Sequence, residues 1–127
     1  MNVVDSCGWL EYFADGPNAD FFAPAIEDTP SLVVPLIVVF EVSKRLRYLY
    51  GHDGETSGMV FLEKGRLDAG DVLLMRQAAQ AAQRHKLAMA DAIIWQTAQA
   101  HQAQLYTQDA DLAGKPGVVY QAKVLSQ

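Results

Sequence analysis

Three acidic residues of the sequence lie in apolar stretches where an ionised side chain is unexpected. Asp91 stands among Ala, Met, Ile and Trp residues, Asp5 follows two valines, and Glu41 lies between a phenylalanine and a valine. Burial of a carboxylate costs free energy unless a cation or hydrogen-bond donors compensate for the lost water. These acids are therefore candidates for one shared binding site, provided that the fold brings them together.

A group of carboxylates is suited to a hard divalent cation. Neighbouring carboxylates repel one another and take up protons unless a cation separates their charges. The three histidines and the single cysteine show no spacing typical of a ligand set, so oxygen donors favour Mg²⁺ or Mn²⁺ over zinc. Such ions activate water and stabilise the leaving oxygen of a phosphodiester. The chemistry that these residues predict is metal-dependent phosphodiester hydrolysis.

Composition and charge limit the class of protein. The 127 residues are 50% hydrophobic and predict one globular domain, residues 1–127. No apolar run approaches the roughly 20 residues of a membrane span, and no signal peptide is visible. The lone Cys7 excludes an internal disulfide, which favours the cytoplasm. The net charge of −5 argues against bulk attraction of nucleic acid, although a bound metal would make an acidic site electropositive.

The hydrophobic pattern predicts alternating strands and helices. Strands are expected at residues 2–4, 32–34, 105–107 and 118–120, and residues 66–68 form either a short strand or a loop. Helices are expected at residues 7–14, 19–27, 36–50, 71–85 and 88–102. Residues 51–58 are predicted to be a polar, glycine-rich connection whose tail is either loop or already helix, followed by the end of a helix at 59–64. This order favours an α/β sandwich with a mainly parallel central sheet of four to five strands.

A parallel sheet would gather the acids at one edge. Ligand sites in such sheets lie beyond the carboxyl ends of the strands. Asp5 ends the first predicted strand and Asp109 follows residues 105–107, while Glu41 and Asp91 lie near helix starts that face the same edge. We therefore expect four carboxylates to meet there.

The aspartates among these residues also have a plain structural interpretation, whereas Glu41, between a phenylalanine and a valine, caps no obvious helix. Asp5 and Asp91 are suited to capping a helix, and Asp109 and Asp111 are common turn residues. Ser6 is predicted to cap the first helix rather than to bind a ligand. The basic residues of the third predicted helix either guide RNA phosphates or simply face water near a helix end: Lys44, Arg45 and Arg47.

Four ordered segments of the chain resemble the PIN domain family, and within it the VapC-type toxin ribonucleases of type II toxin–antitoxin modules. They are Val3-Val4-Asp5-Ser6, Val38-Val39-Phe40-Glu41-Val42, Met89-Ala90-Asp91-Ala92-Ile93-Ile94, and Leu105-Tyr106-Thr107-Gln108-Asp109-Ala110-Asp111-Leu112. The sequence departs from the family at Leu112, where phenylalanine is frequent, and at residues 66–68, where the family has a firmer strand. Neither departure affects an acid.

The resemblance implies a PIN-like three-layer sandwich and a Mg²⁺-dependent (or Mn²⁺-dependent) endoribonuclease. It implies that the catalytic, metal-binding acids are Asp5, Glu41, Asp91 and Asp109. Thr107 would orient the site through its hydroxyl, with Ser6 and Asp111 as auxiliary residues. The implied partners are an RNA substrate, a cognate antitoxin protein and a second copy of the chain, with no membrane.

Three other functions are considered on the same residues. A phosphoacceptor receiver module needs paired acids after its first strand and a lysine after a late one, where this chain has Asp5-Ser6 and Thr107-Gln108. A haloacid-dehalogenase-like phosphatase needs Asp-x-Asp, where this chain has Asp5-Ser6-Cys7. A non-catalytic binding module with an acidic pocket stays open as the alternative.

Overall fold

A five-stranded parallel sheet forms the centre of the protein in a computed structural model that describes residues 1–125. The strands lie in the order β3-β2-β1-β4-β5, and each neighbouring pair is parallel. Their bounds are Asn2–Val4 (β1), Leu32–Pro35 (β2), Arg66–Asp68 (β3), Gln104–Thr107 (β4) and Val118–Tyr120 (β5). The prediction of a mainly parallel α/β sheet is confirmed, and the ambiguous residues 66–68 form an edge strand.

The direction of the chain through the sheet reverses between β1 and β4. From β1 the chain steps outward to β2 and β3, and it then returns to the other side of β1 to form β4 and β5. Such a reversal leaves a crevice at the carboxyl ends of the two strands, where ligands bind in open α/β sheets. The register pairs Val4 with Tyr106, so Asp5 and Thr107 follow side by side at this edge.

Five helices flank the sheet: Ser6–Phe13 (α1), Ala19–Glu27 (α2), Leu36–Leu62 (α3), Val72–His85 (α4) and Met89–Ala100 (α5). Short 3-10 turns cover Thr29–Ser31 and Ala110–Leu112. The core between these layers contains the valines of β1 and β2 together with fully buried Trp9, Phe22 and Ile94. None of the described helices has both the length and the apolar character that a membrane crossing requires.

Helix α3 is a bent pair of helical segments rather than a helix followed by a loop. Only Gly51, with φ 74° and ψ −168°, departs from helical geometry. The Ser43 hydroxyl donates to Glu55 Oε1 at 2.7 Å, although twelve residues of straight helix would span about 18 Å. The two segments therefore fold back on each other, and buried Gly58 lies against Leu46. The prediction of a connection over residues 51–58 is wrong in its extent, because a single glycine makes the reversal, and the alternative of a helical tail to this segment is confirmed.

Candidate metal centre

Three aspartates meet at the crevice between β1 and β4. One carboxylate oxygen from each of Asp5, Asp91 and Asp109 lies within 4.8 Å of the other two. Asp5 follows β1, Asp109 follows β4, and Asp91 lies in the first turn of α5. Within residues 1–125 this is the only group of three or more His, Cys, Asp or Glu side chains close enough to hold an ion.

Asp5 is buried and held in one orientation by donors on both of its oxygens. Its Oδ1 accepts the Ser6 N–H at 2.8 Å, and its Oδ2 accepts the Thr107 hydroxyl at 2.7 Å. The extended backbone of Asp5 (φ −62°, ψ 154°) makes it the N-cap of α1, and Ser6 is already the first helical residue. The prediction that Ser6 caps this helix is therefore wrong, whereas the capping interpretation of Asp5 holds together with its place in the cluster.

Thr107 connects two of the three acids. Its buried hydroxyl donates to Asp5 and accepts the backbone N–H of Asp109 at 2.9 Å. This contact follows from the β1–β4 register, which aligns the two strand ends. The hydroxyl therefore fixes the relative position of Asp5 and the loop that carries Asp109.

Glu41 lies beside the cluster but outside the group of three. Its Oε1 accepts the Ser6 hydroxyl at 2.6 Å. After burial and the effects of Asp5 and Asp109, the charge of Glu41 makes the smallest contribution to the raised pKa of Asp91. The structure thus places Ser6 between Glu41 and Asp5, in a linking position that the sequence pattern does not indicate.

Asp109 and Asp111 differ in their surroundings. Asp109 Oδ1 accepts the Asp111 N–H at 2.9 Å and caps the short 3-10 turn, so Asp109 is a turn residue as well as a member of the cluster. Asp111 itself is exposed and outside the group of three. For Asp91, the capping interpretation is wrong, because Ala88 occupies the N-cap position of α5.

The proximity of the acids makes their ionisation unfavourable without a cation. Burial, followed by the charges of Asp5 and Asp109, raises the pKa of Asp91 to about 7. Burial also raises the pKa of Asp5, against the opposing effect of the Thr107 hydrogen bond. A divalent cation would remove this repulsion, and an all-carboxylate donor set matches Mg²⁺ or Mn²⁺. The residues present therefore fit such an ion.

Cys7 lies next to the cluster but outside the group of three acids. Its thiol lies 3.5 Å from Asp5 Oδ2. Burial and the charge of Asp5 raise the pKa of Cys7 to about 12. The thiolate that nucleophilic attack requires is therefore suppressed.

A hydrogen-bond network centred on Asn18 lies beside the site. The buried amide of Asn18 donates to Gln108 Oε1 and to the Ala122 carbonyl, both at 3.0 Å, and it accepts from Gln121 at 2.7 Å. It ties the segment after β5 to the residue that precedes Asp109. An asparagine after Gly-Pro resembles an ordinary turn residue, so the sequence carries no indication of this role.

The site consists of acidic side chains at the switch point of a five-stranded parallel sheet. Comparison with known proteins assigns this combination of fold and site to a family. The family model of the PIN domain matches residues 3–117. The chain belongs to the PIN domain family, and the resemblance found in its sequence is confirmed. A search of curated proteins gives no match.

Several solved structures share the fold, including those of VapC-type toxins. A toxin–antitoxin complex from Klebsiella pneumoniae is 26% identical, with a TM-score of 0.78 and coverage of 94% of this chain and 96% of that one. VapC20 of Mycobacterium tuberculosis, a sarcin-ricin loop cleaving toxin, is 17% identical, with a TM-score of 0.73 and coverage of 89% and 93%. VapBC2 of Rickettsia felis, bound to a promoter DNA fragment, is 12% identical, with a TM-score of 0.74 and coverage of 97% and 98%.

Proposed function

We propose that the protein is a toxin of a toxin–antitoxin module that hydrolyses RNA phosphodiester bonds with Mg²⁺ or Mn²⁺. The observation that carries the proposal is the convergence of Asp5, Asp91 and Asp109 within 4.8 Å at the switch point. These three residues would hold the ion. When bound, the divalent cation supplies Lewis acidity, which activates water and offsets negative charge on the phosphodiester.

The chain's own residues have distinct tasks in this reaction. Thr107 and the Ser6 N–H hold the Asp5 carboxylate in one orientation, and preorganised ligands need no rearrangement when substrate arrives. Glu41 is bonded through Oε1 to Ser6, and within residues 1–125 no hydrogen bond reaches its Oε2. We assign to this oxygen the acceptance of a proton from the attacking water.

The proposed partners rest on the structural relatives. The Klebsiella relative is a toxin–antitoxin complex, and the Mycobacterium relative is a toxin that cleaves the sarcin-ricin loop. By analogy we assign to this chain an RNA substrate and a cognate antitoxin that covers the cleft, with a second copy of the chain completing a homodimer. We assign the protein to the cytoplasm on the same grounds.

Cleavage of RNA by the purified chain tests the proposal. Wild-type protein with Mg²⁺ is expected to cut single-stranded RNA, and EDTA is expected to stop the reaction. Asp91→Asn is expected to reduce cleavage by about 100-fold or more, since it removes a ligand charge. Asp53→Asn is the matched control, because Asp53 is an exposed aspartate outside the group of three.

Two results would contradict the mechanism. One is full activity in a chain that carries both Asp5→Ala and Asp91→Asn. The other is RNA cleavage by the wild-type chain that persists in excess EDTA, since the proposed reaction requires the divalent cation. A thermal scan verifies that each variant is folded. Saturable Mn²⁺ binding by calorimetry without any RNA cleavage would favour the non-catalytic binding module instead.

A further inference from the structure

One face of α3 presents aromatic rings and cations next to the candidate metal centre. Phe40, Lys44 and Tyr48 recur every four residues, and Glu41 and Arg45 follow the same spacing one position later. These five residues, which we call the α3 stripe, line a pocket of about 430 Å³. Because Glu41 belongs both to the stripe and to the surroundings of the cluster, the pocket adjoins the proposed reaction centre.

The two aromatic rings of the α3 stripe are exposed to solvent and do not belong to the hydrophobic core. Phe40 is 66% exposed and Tyr48 is 79% exposed. The Arg45 guanidinium lies over the Tyr48 ring, 5.3 Å from its centroid. Exposed rings with a cation at one face are the components of sites where nucleobases stack.

The cations of the α3 stripe are not neutralised by neighbouring acids. Glu41 is four residues before Arg45, the usual spacing for a helical ion pair, but its carboxylate is bonded to Ser6 instead. Within residues 1–125, no carboxylate lies within ion-pair distance of Lys44 or Arg45. Lys44 and Arg45 are exposed, so both cations are free to contact an anionic ligand beside the acidic site.

Arg45 also lines a second pocket. This pocket, of about 250 Å³, contains Lys123, Cys7 and Gln108 together with the acidic Glu11. Lys123 is in the segment that Asn18 ties down through its bond to the preceding residue. Cys7 contacts Asp5, and Gln108 immediately precedes Asp109, so this pocket also adjoins the cluster.

We propose that the α3 stripe is a subsite for single-stranded RNA next to the scissile bond, with bases on Phe40 and Tyr48 and phosphates on Lys44 and Arg45. The inference rests on the proposed ribonuclease function and specifies its substrate as unpaired RNA. A duplex keeps its bases stacked internally and cannot offer them to the two rings. The alternation of exposed rings with unpaired cations matches the bases and phosphates of a nucleic-acid strand.

Binding measured without cleavage tests the subsite independently of the reaction. The full chain in an Asp91→Asn background is titrated, by fluorescence anisotropy, into a labelled single-stranded oligoribonucleotide and into an RNA hairpin stem. Tyr48→Leu and Phe40→Leu are each expected to weaken single-strand binding by about 5- to 100-fold. Lys44→Gln with Arg45→Gln is expected to weaken binding and to lower the salt slope by about 0.7 for each phosphate that the variant no longer neutralises.

The chain offers a matched control for these variants. Phe61 is an exposed ring on the second segment of α3, with the Lys64 ammonium 4.9 Å from its centroid, and neither residue lines the two pockets. Phe61→Leu and Lys64→Gln are expected to leave RNA affinity unchanged. Thermal unfolding of every variant verifies that it is folded.

Different results would overturn different proposals. Unchanged affinity in the α3 stripe variants, or equal affinity for the hairpin stem, overturns the subsite even when the wild-type chain cleaves RNA. Loss of binding to an adjacently encoded antitoxin, with RNA affinity unchanged, would assign the surface to that protein and likewise overturn the proposal. If the wild-type chain binds RNA tightly through the α3 stripe but does not cleave it, the subsite proposal is supported and the ribonuclease proposal is refuted.

Discussion

At the scale of single residues, Asp91 shows the combined effect of burial and of neighbouring charges. Burial, followed by the charges of Asp5 and Asp109, raises the pKa of this half-buried side chain to about 7. A group with a raised folded-state pKa binds its proton more tightly in the folded protein than in the unfolded chain. Without a cation, the folded protein therefore gains stability when Asp91 is protonated.

The raised pKa of Asp91 predicts that the stability of the metal-free protein depends on pH. The stabilisation is complete below about pH 4 and is lost as the pH rises through about 7. Between about pH 5 and pH 8 in EDTA, the wild-type Tm is expected to fall more than that of Asp91→Asn. At the upper pH the variant is expected to melt several degrees higher, as measured by differential scanning calorimetry.

The same measurement has an internal control. Asp53→Asn is expected to follow the wild-type curve, since Asp53 lies outside the cluster. If the Tm of wild type and of Asp91→Asn changed equally with pH, the predicted effect of the raised Asp91 pKa would be contradicted. Addition of Mg²⁺ at the upper pH is expected to raise the Tm of the wild type more than that of Asp91→Asn, because a ligand stabilises only the state that binds it.

The sequence is sufficient to single out these acids as candidates, but it does not predict which hydrogen-bond partner each of them has. Charged residues between apolar ones are conspicuous, and the strand order places them at one edge. That Glu41 bonds to Ser6 while Asp5 bonds to Thr107 depends on side-chain orientations across elements that are distant in the chain. Spacing along the sequence carries no information about such contacts.

At the scale of secondary-structure elements, the reversal within α3 depends on one residue. Gly51 combines φ 74° with ψ −168°, a backbone conformation that is essentially restricted to glycine. An added Cβ would meet no atom within 4 Å. Any cost of a side chain at this position is therefore a cost of backbone conformation rather than of collision.

Gly51→Ala is expected to lower the free energy of unfolding by about 1–3 kcal/mol. Urea denaturation followed by circular dichroism measures the change. His52→Ala, at an exposed helical position one residue later, is expected to leave stability nearly unchanged. A neutral Gly51→Ala would mean that the reversal tolerates another backbone geometry.

This element also shows where sequence patterns lose information. The polar, glycine-containing residues 51–58 favour a loop by composition, but their helix is stabilised by tertiary contacts. Glu55 binds Ser43 and lies 3.8 Å from Arg47, and Gly58 permits close approach to Leu46. The strands and other helices are predictable because their apolar periodicity reflects burial directly.

At the scale of the whole molecule, an exposed apolar surface remains on α4 and α5. Val72 is 76% exposed and Met89 is 72% exposed. Together with Met75, Ala79 and Ala82 they line two shallow grooves that share Met75 and Ala79. Contiguous apolar surface of this kind marks interaction sites, and we assign it to the proposed homodimer.

Val72→Glu is expected to shift the protein from dimer to monomer in size-exclusion chromatography with light scattering. Val72 is the first residue of α4, where an acidic side chain is compatible with the helix dipole, so the monomer should stay folded. Leu73→Glu is the matched control, because Leu73 is 61% exposed but does not line either groove. A monomeric wild type, or equal effects of the two variants, would contradict the assignment.

The contact between Asp5 and Thr107 joins residues 102 positions apart in the chain, which has a consequence during synthesis on the ribosome. Domains fold as units once their residues have been made, and the candidate centre also requires Asp91 and Asp109 from the last third of the sequence. A nascent or truncated chain that ends before β4 lacks both Asp109 and the hydroxyl that orients Asp5, so its site is incomplete. The proposed ribonuclease is therefore inert while it is being translated, and it becomes active only after nearly the whole chain has left the ribosome.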